Sequence, residues 1–211
     1  MGSIRKYYAR GRSPHGFWGK QALKSMNSAK HAALPEWVFA EIQVPKEARI
    51  LDVGCGGGAN IDRMLKLFPD CKVTGLDNSE FSLEFAKDFN YHAFVDKRCL
   101  FVGGNAVQMP LAKDRYDLVT AFETVYYWPS LLSGASELCR VLKPGGTCVI
   151  ANELDGLEQS DKELEKRTGT MRVYTLDEIK VYMAEAGFIN IKSRHDEQRR
   201  FICVTGQKPE P

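Results

Sequence analysis

The feature that most constrains this chain is the run Asp52-Val53-Gly54-Cys55-Gly56-Gly57-Gly58, set between a strand pattern and a helix pattern. Glycines at this density let the backbone turn sharply and come close to a ligand. The segment leading in, Arg49-Ile50-Leu51-Asp52-Val53, reads as a buried strand. The segment leading out repeats apolar residues at Ile61, Met64, Leu65 and Phe68 and stops before Pro69, as a helix does. A strand that turns through glycines into a helix aims the helix N-terminus at whatever binds there.

The rest of the chain keeps the same alternation, which implies a parallel sheet wrapped by helices. Further strands are expected at residues 72–76, 99–102, 116–122 and 147–151. Ser79 can cap a helix whose Phe81, Phe85 and Phe89 recur every four residues. Another helix places Leu131, Ala135, Leu138 and Leu142 on one face and is closed by Lys143-Pro144-Gly145-Gly146. Thr175-Leu176-Asp177-Glu178 reads as a capping box. The last two strands, 189–194 and 201–205, are separated by too few residues for a crossover helix, so they form a hairpin and bring an antiparallel edge onto the sheet.

At 211 residues the chain suits one domain, 1–211. Residues 1–44 form an arm with one or two helices, and 45–211 form the ligand-binding core. No apolar stretch approaches the ~18 residues of a membrane span. The N-terminus lacks a signal-peptide core, and Lys6 spoils a myristoylation motif at Gly2. Six cysteines without a CxxC pair read as reduced core residues, so neither a disulfide frame nor a metal site is expected, and a cytoplasmic location is. Residues 1–35 hold seven Lys or Arg and no acid, which suits either a solvated face or an arm that meets an anionic acceptor.

Two ligand classes compete for the glycine run. Gly54-x-Gly56-x-x-Ala59 satisfies the dinucleotide pattern of nicotinamide enzymes. S-adenosylmethionine is favoured by Asp52, placed to bridge to a ligand's amino group, by the third glycine at Gly58, and by a terminal hairpin in place of a second nucleotide half. A hydride-transfer pair of the Tyr-x-x-x-Lys kind is missing where it is needed, since Tyr182 is followed by Glu185 and Ala186. Asp77, ending the second strand, can accept from both ribose hydroxyls, or serve only as a cap. Asn105 can pair with an adenine edge, or be a turn residue.

Together these residues resemble the class I S-adenosylmethionine-dependent methyltransferase family in its small-molecule branch, over roughly residues 45–205. Arg140-Val141-Leu142-Lys143-Pro144-Gly145-Gly146 is a frequent signature there. The resemblance implies an α/β, Rossmann-like doubly wound seven-stranded sheet with an antiparallel last strand, here with an N-terminal helical extension. It implies that Asp52, Gly54, Gly56, Asp77, Asn105 and Ala106 line the cofactor pocket, with Cys55, Asn78 and Phe122 counted beside them. The cofactor would be S-adenosylmethionine, leaving as S-adenosylhomocysteine, with no metal. The family more often has Asp at position 105. Phe17-Trp18-Gly19-Lys20, Met26-Asn27 and His31, taken with Phe122-Glu123-Thr124-Val125-Tyr126-Tyr127-Trp128, resemble an uncharacterised bacterial subgroup, which supplies no substrate.

The segment after the fourth strand faces the acceptor in open α/β sheets. It lacks the Asn- or Asp-Pro-Pro-Tyr run of DNA-amine methyltransferases, which argues against nucleic acid. Tyr126 and Trp128 can surround an acceptor or merely pack the next helix. Tyr7, Tyr8 and Trp18 are candidate acceptor contacts on an arm, residues 1–35, expected to close over the acceptor and to govern it more than the cofactor. Glu123, Tyr127 and His31 are candidates for handling a proton, while Glu153 reads as a solvated loop residue. The expected activity is methyl transfer to O or N of a small-molecule or peptide acceptor. A non-catalytic cofactor-binding module and a nicotinamide oxidoreductase are the alternatives, and the oligomeric state is left open.

Overall fold

The computed structural model describes residues 15–28 and 31–211. Two short helices, α1 (Gly16–Met26) and α2 (Ala33–Phe39), precede β1 (Arg49–Val53) and α3 (Ala59–Leu67). Then come β2 (Lys72–Asp77), α4 (Glu80–Phe89), α5 (Tyr91–Val95), β3 (Cys99–Gly103) and β4 (Tyr116–Phe122). A 3-10 turn (Val125–Tyr127) leads to α6 (Leu131–Val141) and β5 (Leu142–Asn152), and the chain continues with α7 (Gln159–Thr168), α8 (Leu176–Glu185), β6 (Ile189–Asp196) and β7 (Phe201–Gln207).

All seven strands form one sheet in the order β3-β2-β1-β4-β5-β7-β6. The pairings from β3 to β5 are parallel, and β7 runs antiparallel between β5 and β6. This is the expected doubly wound sheet with its antiparallel hairpin. Alternate residues of each strand serve opposite faces. Leu51, Val119 and Ile150 pack with Leu138 of α6 and Ile179 of α8. Ile50, Leu118 and Val149 pack with Ile61 and Met64 of α3 and with Leu34 and Val38 of α2. Each such side chain contributes about 1.5–3 kcal/mol by leaving water.

Local differences from expectation have local causes. The phenylalanine row of α4 is not its buried face; Ser82 and Ala86 are buried and Phe89 is 48% exposed. A Cβ at Gly58 would lie 2.9 Å from the Ala86 Cβ, so the glycine turn and α4 meet where only small groups fit. Asn90 seals the contact, its Nδ2 donating to Gly58 O at 3.1 Å. Helix α7 lies in a stretch too polar to signal a helix; it is held by charge, through Asp161 and Arg200, rather than by an apolar stripe. Leu142 opens β5 instead of closing α6, and a register shift between Tyr116 and Leu118 absorbs the Lys143–Gly146 segment. Strand β6 continues to Asp196, which leaves a tight turn with Arg200 at φ 61°. The caps at Ser79 and Thr175 form as the sequence implies.

The six cysteines are free, and all but the half-buried Cys139 are buried. Among the described residues no helix is long and apolar enough to cross a membrane.

Candidate functional site

Sheet order reverses between β1 and β4, and at such a switch point the loops part to leave a crevice above the strand ends. The cleft there has a volume of about 300 Å³. Its β2–β3 end is lined by Asp77, Asn78, Asn105 and Ala106, its middle by Gly54, Cys55, Gly56 and Gly57, and its β4–β5 end by Phe122, Glu123, Thr124, Tyr127 and Glu153.

The middle is backbone architecture. Gly54 and Cys55 N–H both donate to Leu76 O, at 2.7 and 3.1 Å. Gly54 has φ 73°, and a Cβ there would fall 2.1 Å from Thr124 Oγ1, so no other residue fits. At Gly56 a Cβ would meet no atom within 4 Å, so the space over this part of the loop is free for a ligand.

Asp77 Oδ2 accepts from Gly56 N–H at 2.9 Å and Oδ1 accepts from Ser79 N–H at 2.9 Å. Its carboxylate therefore ties the glycine loop to the end of β2 while still lining the cleft. Burial pushes its pKa up, against the pull of those N–H donors. Asp52 lies elsewhere than its proposed role suggests: it is 2% exposed, beneath the loop rather than in the lining, with Oδ1 accepting from Thr120 Oγ1 at 2.7 Å. Burial, with the charge of Asp77 in addition, raises its pKa to about 7 despite the Thr120 bond. Asn105 Oδ1 accepts from Val107 N–H at 3.1 Å, so the turn role is real and the amide Nδ2 is what it has to offer a ligand. The loop beyond is braced by Arg140, which donates to Met109 O and Leu111 O at 3.1 and 2.8 Å.

The β4–β5 end is built from side chains. Glu123 sits at φ 56°, its N–H donating to Ala151 O at 3.0 Å. Its Oε1 accepts from Tyr126 Oη at 3.0 Å and from the backbone N–H of Glu153. Burial first, then the neighbouring charge of Glu153, pushes the Glu123 carboxyl up to about 8. Glu153 is not a solvated loop residue: it lines the cleft, with Oε1 3.5 Å from His31 Nδ1. The loop that carries it is anchored from behind. Arg200 donates to Asp155 Oδ1 at 2.6 Å and also binds Asp161, and both acids are nearly fully buried. Burial is the largest single influence on Asp155 and would raise its pKa, but the Arg200 hydrogen bond and charge, the Leu157 N–H and the His195 contact together outweigh it and hold the carboxyl below its ordinary value.

The aromatic candidates divide. Tyr126 and Trp128 line the cleft and are also packed against their neighbours. Tyr126 joins Met171 and Val173, and Trp128 stacks where a Cβ at Gly134 would lie 2.1 Å from its ring. Tyr127 is half-buried on the lining. Trp18 is 62% exposed at the start of α1 and is not among the lining residues, whereas Met26 and Asn27 at the other end of that helix reach the cleft. Tyr7 and Tyr8 lie outside the described residues. The arm also touches the glycine loop, because Asn27 Nδ2 donates to Gly57 O at 2.7 Å. Neither this contact nor the Thr124 wedge had a sequence signal, since both join residues far apart in the chain.

A family model described as a methyltransferase domain matches residues 45–191. The 27-O-demethylrifamycin SV methyltransferase of Amycolatopsis mediterranei is 30% identical over 179 residues, covering 82% of this chain and 65% of that protein. The cycloartenol-C-24-methyltransferase of Arabidopsis thaliana is 31% identical over 180 residues, covering 81% and 53%. The chain thus spans between about half and two-thirds of the length of these curated relatives. Among solved structures, a SAM-dependent methyltransferase from Aquifex aeolicus is similar at a TM-score of 0.74 and 20% identity, covering 89% of this chain and 97% of that one. A Haemonchus contortus phosphoethanolamine N-methyltransferase 2 in complex with S-adenosyl-L-methionine has a TM-score of 0.78 at 17% identity, covering 100% and 61%. At these identities the structural likeness is one of fold.

Proposed function

We propose that this chain, which belongs to the class I S-adenosylmethionine-dependent methyltransferase family, passes the methyl group of S-adenosylmethionine to an oxygen or nitrogen of a small-molecule or peptide acceptor. The observation that carries this reading is a single cleft with two chemically different ends, joined over an open glycine loop. The residues fit the cofactor. Each oxygen of Asp77 accepts one backbone N–H and keeps lone-pair capacity for a ribose hydroxyl. Asn105 Nδ2 and the Ala106 backbone border the place for an adenine, Asn78 and Cys55 flank it, and Phe122 backs the reacting end. Asp52, beneath the loop and bonded to Thr120, reaches the ligand's amino group only through an intervening group such as water.

When bound, S-adenosylmethionine supplies an electrophilic methyl on sulfur and leaves as a neutral thioether. The protein's main task is then to hold the acceptor in line, which by itself is worth several kcal/mol of barrier. Glu123 is placed to take a proton from the acceptor at Oε2, the oxygen that has no hydrogen-bond partner among the described residues. A carboxyl poised near neutral pH suits general-base work. Tyr127, Tyr126 and Trp128 wall the acceptor side, and His31, Leu34 and Pro35 cover it from the N-terminal helices, which we read as the acceptor lid. The two relatives are named for methylating 27-O-demethylrifamycin SV and cycloartenol, which supports a small molecule ahead of a peptide.

Calorimetry tests the cofactor half: S-adenosylhomocysteine should bind and NAD should not. Tighter binding of NAD would overturn the reading. Release of labelled methyl into a metabolite pool separates an enzyme from a binding module.

A further inference from the structure

We propose that the acceptor is a protonated amine, received between the carboxylates of Glu123 and Glu153; this rests on the methyltransferase reading above. Topology sets the two acids side by side, one after β4 and one after β5, and both line the same end of the cleft. Their arrangement is unlike that of a structural acid pair. Backbone N–H and Tyr126 Oη satisfy only one oxygen of Glu123, and Glu153 faces His31 across 3.5 Å without a Lys or Arg partner among the described residues. The single guanidinium of the described lining, Arg63, stands on α3 with its Nη1 donating to Asn60 Oδ1 at 2.9 Å. The β4–β5 end therefore presents two carboxylates and three aromatic walls, Tyr126, Tyr127 and Trp128, to the acceptor.

Carboxylates and aromatic faces both attract cations. An anionic acceptor, which the basic arm suggested, would meet like charge here. The basic residues Arg5, Lys6, Arg10 and Arg12 lie outside the described residues. The raised Glu123 carboxyl fits the same picture, because burial and the Glu153 charge hold a proton that an arriving ammonium would displace.

The chemistry balances. The docked ammonium gives one N–H proton to Glu123 Oε2 and is left with a lone pair. That pair forms the N–C bond to the methyl carbon while the C–S bond breaks and its electrons pass to sulfur. The product nitrogen again carries a positive charge, and the Glu123 proton returns to solvent.

The test uses the full chain saturated with S-adenosylhomocysteine and three probes of similar shape: benzylammonium, benzyl alcohol and benzoate. Calorimetry should find benzylammonium bound about tenfold or more tighter than the alcohol, with benzoate weakest. Glu153→Gln and Glu123→Gln should each remove most of that preference and leave S-adenosylhomocysteine affinity within about twofold. Failure of benzylammonium to bind, or equal or tighter binding of the alcohol or benzoate, overturns the proposal even if a variant does not fold. A variant that weakens S-adenosylmethionine and spares S-adenosylhomocysteine also overturns it, by assigning the carboxylates to the sulfonium. Loss of S-adenosylhomocysteine binding by the unmodified chain would instead sink the methyltransferase reading.

Discussion

The two ends of the cleft are made of different material. At the middle and β2–β3 end the protein meets a ligand mainly with backbone, shaped by glycines and tied down by one acid, Asp77. At the β4–β5 end it meets a ligand with side chains, two glutamates and three aromatics projected from loops. A backbone-built surface tolerates almost no substitution, because each glycine is demanded by a close neighbour or a positive φ. A side-chain surface can be rewritten one residue at a time without disturbing the sheet below. One half of the site is thus suited to a constant ligand and the other to a changeable one.

That contrast can be broken first at Gly54. Gly54→Ala would drive a Cβ against Thr124 at a positive φ, which should cost about 2–4 kcal/mol of stability in denaturant unfolding and abolish S-adenosylhomocysteine binding. An unshifted unfolding midpoint would show that the loop gives way and that its backbone is not the fixed half. Asp77→Ala comes next. It should fold and lose about 2–3 kcal/mol of S-adenosylhomocysteine affinity by calorimetry; unchanged affinity would reduce Asp77 to a loop tether.

Asn27→Ala sharpens the comparison from the other side, since it removes a side-chain bond from the arm to the glycine loop. We expect about 1 kcal/mol of lost S-adenosylhomocysteine affinity, and no loss would return the arm to the acceptor alone. The smallest effect is one of pH. Glu123 faces Glu153 and Tyr126, with His31 beyond, and its carboxyl is raised from 4.5 to about 8. The folded chain therefore binds more protons than the unfolded chain in this window, so stability falls as pH rises through it. The melting temperature of the apo protein should drop between those limits, and Glu123→Gln should reduce the slope, with the raised Asp52 carboxyl supplying the part that remains. A slope that Glu123→Gln leaves unchanged would mean that Glu123 is ionised throughout.

The same contrast explains what could be read from residues alone. Strand periodicity, the glycine run and the Asp77 position announced the sheet and the glycine-loop end of the cleft, because each is local in the chain. Trp18 misled because aromatic residues on an arm look alike whether they face a cleft or water. Glu153 was hidden because its meaning depends on Glu123 and His31, which only the sheet order brings near it. Helix α7 was hidden because charge pairing with Arg200, not an apolar stripe, holds it.

Strand β7 carries a consequence for biogenesis. It pairs with β5 across Thr147–Asn152 and separates that strand from β6. On a chain emerging from the ribosome, β5 therefore waits through the synthesis of α7, α8 and β6 with its outer edge unpaired. Cys148, Val149 and Ile150, all fully buried in the finished fold, lie along that waiting edge. Such an edge is a template for pairing with another chain. The hazard of this molecule is thus concentrated late in its translation, and a ribosome stalled before residue 201 would hold a nascent chain whose glycine loop has been made and whose β5 edge is still open to aggregation.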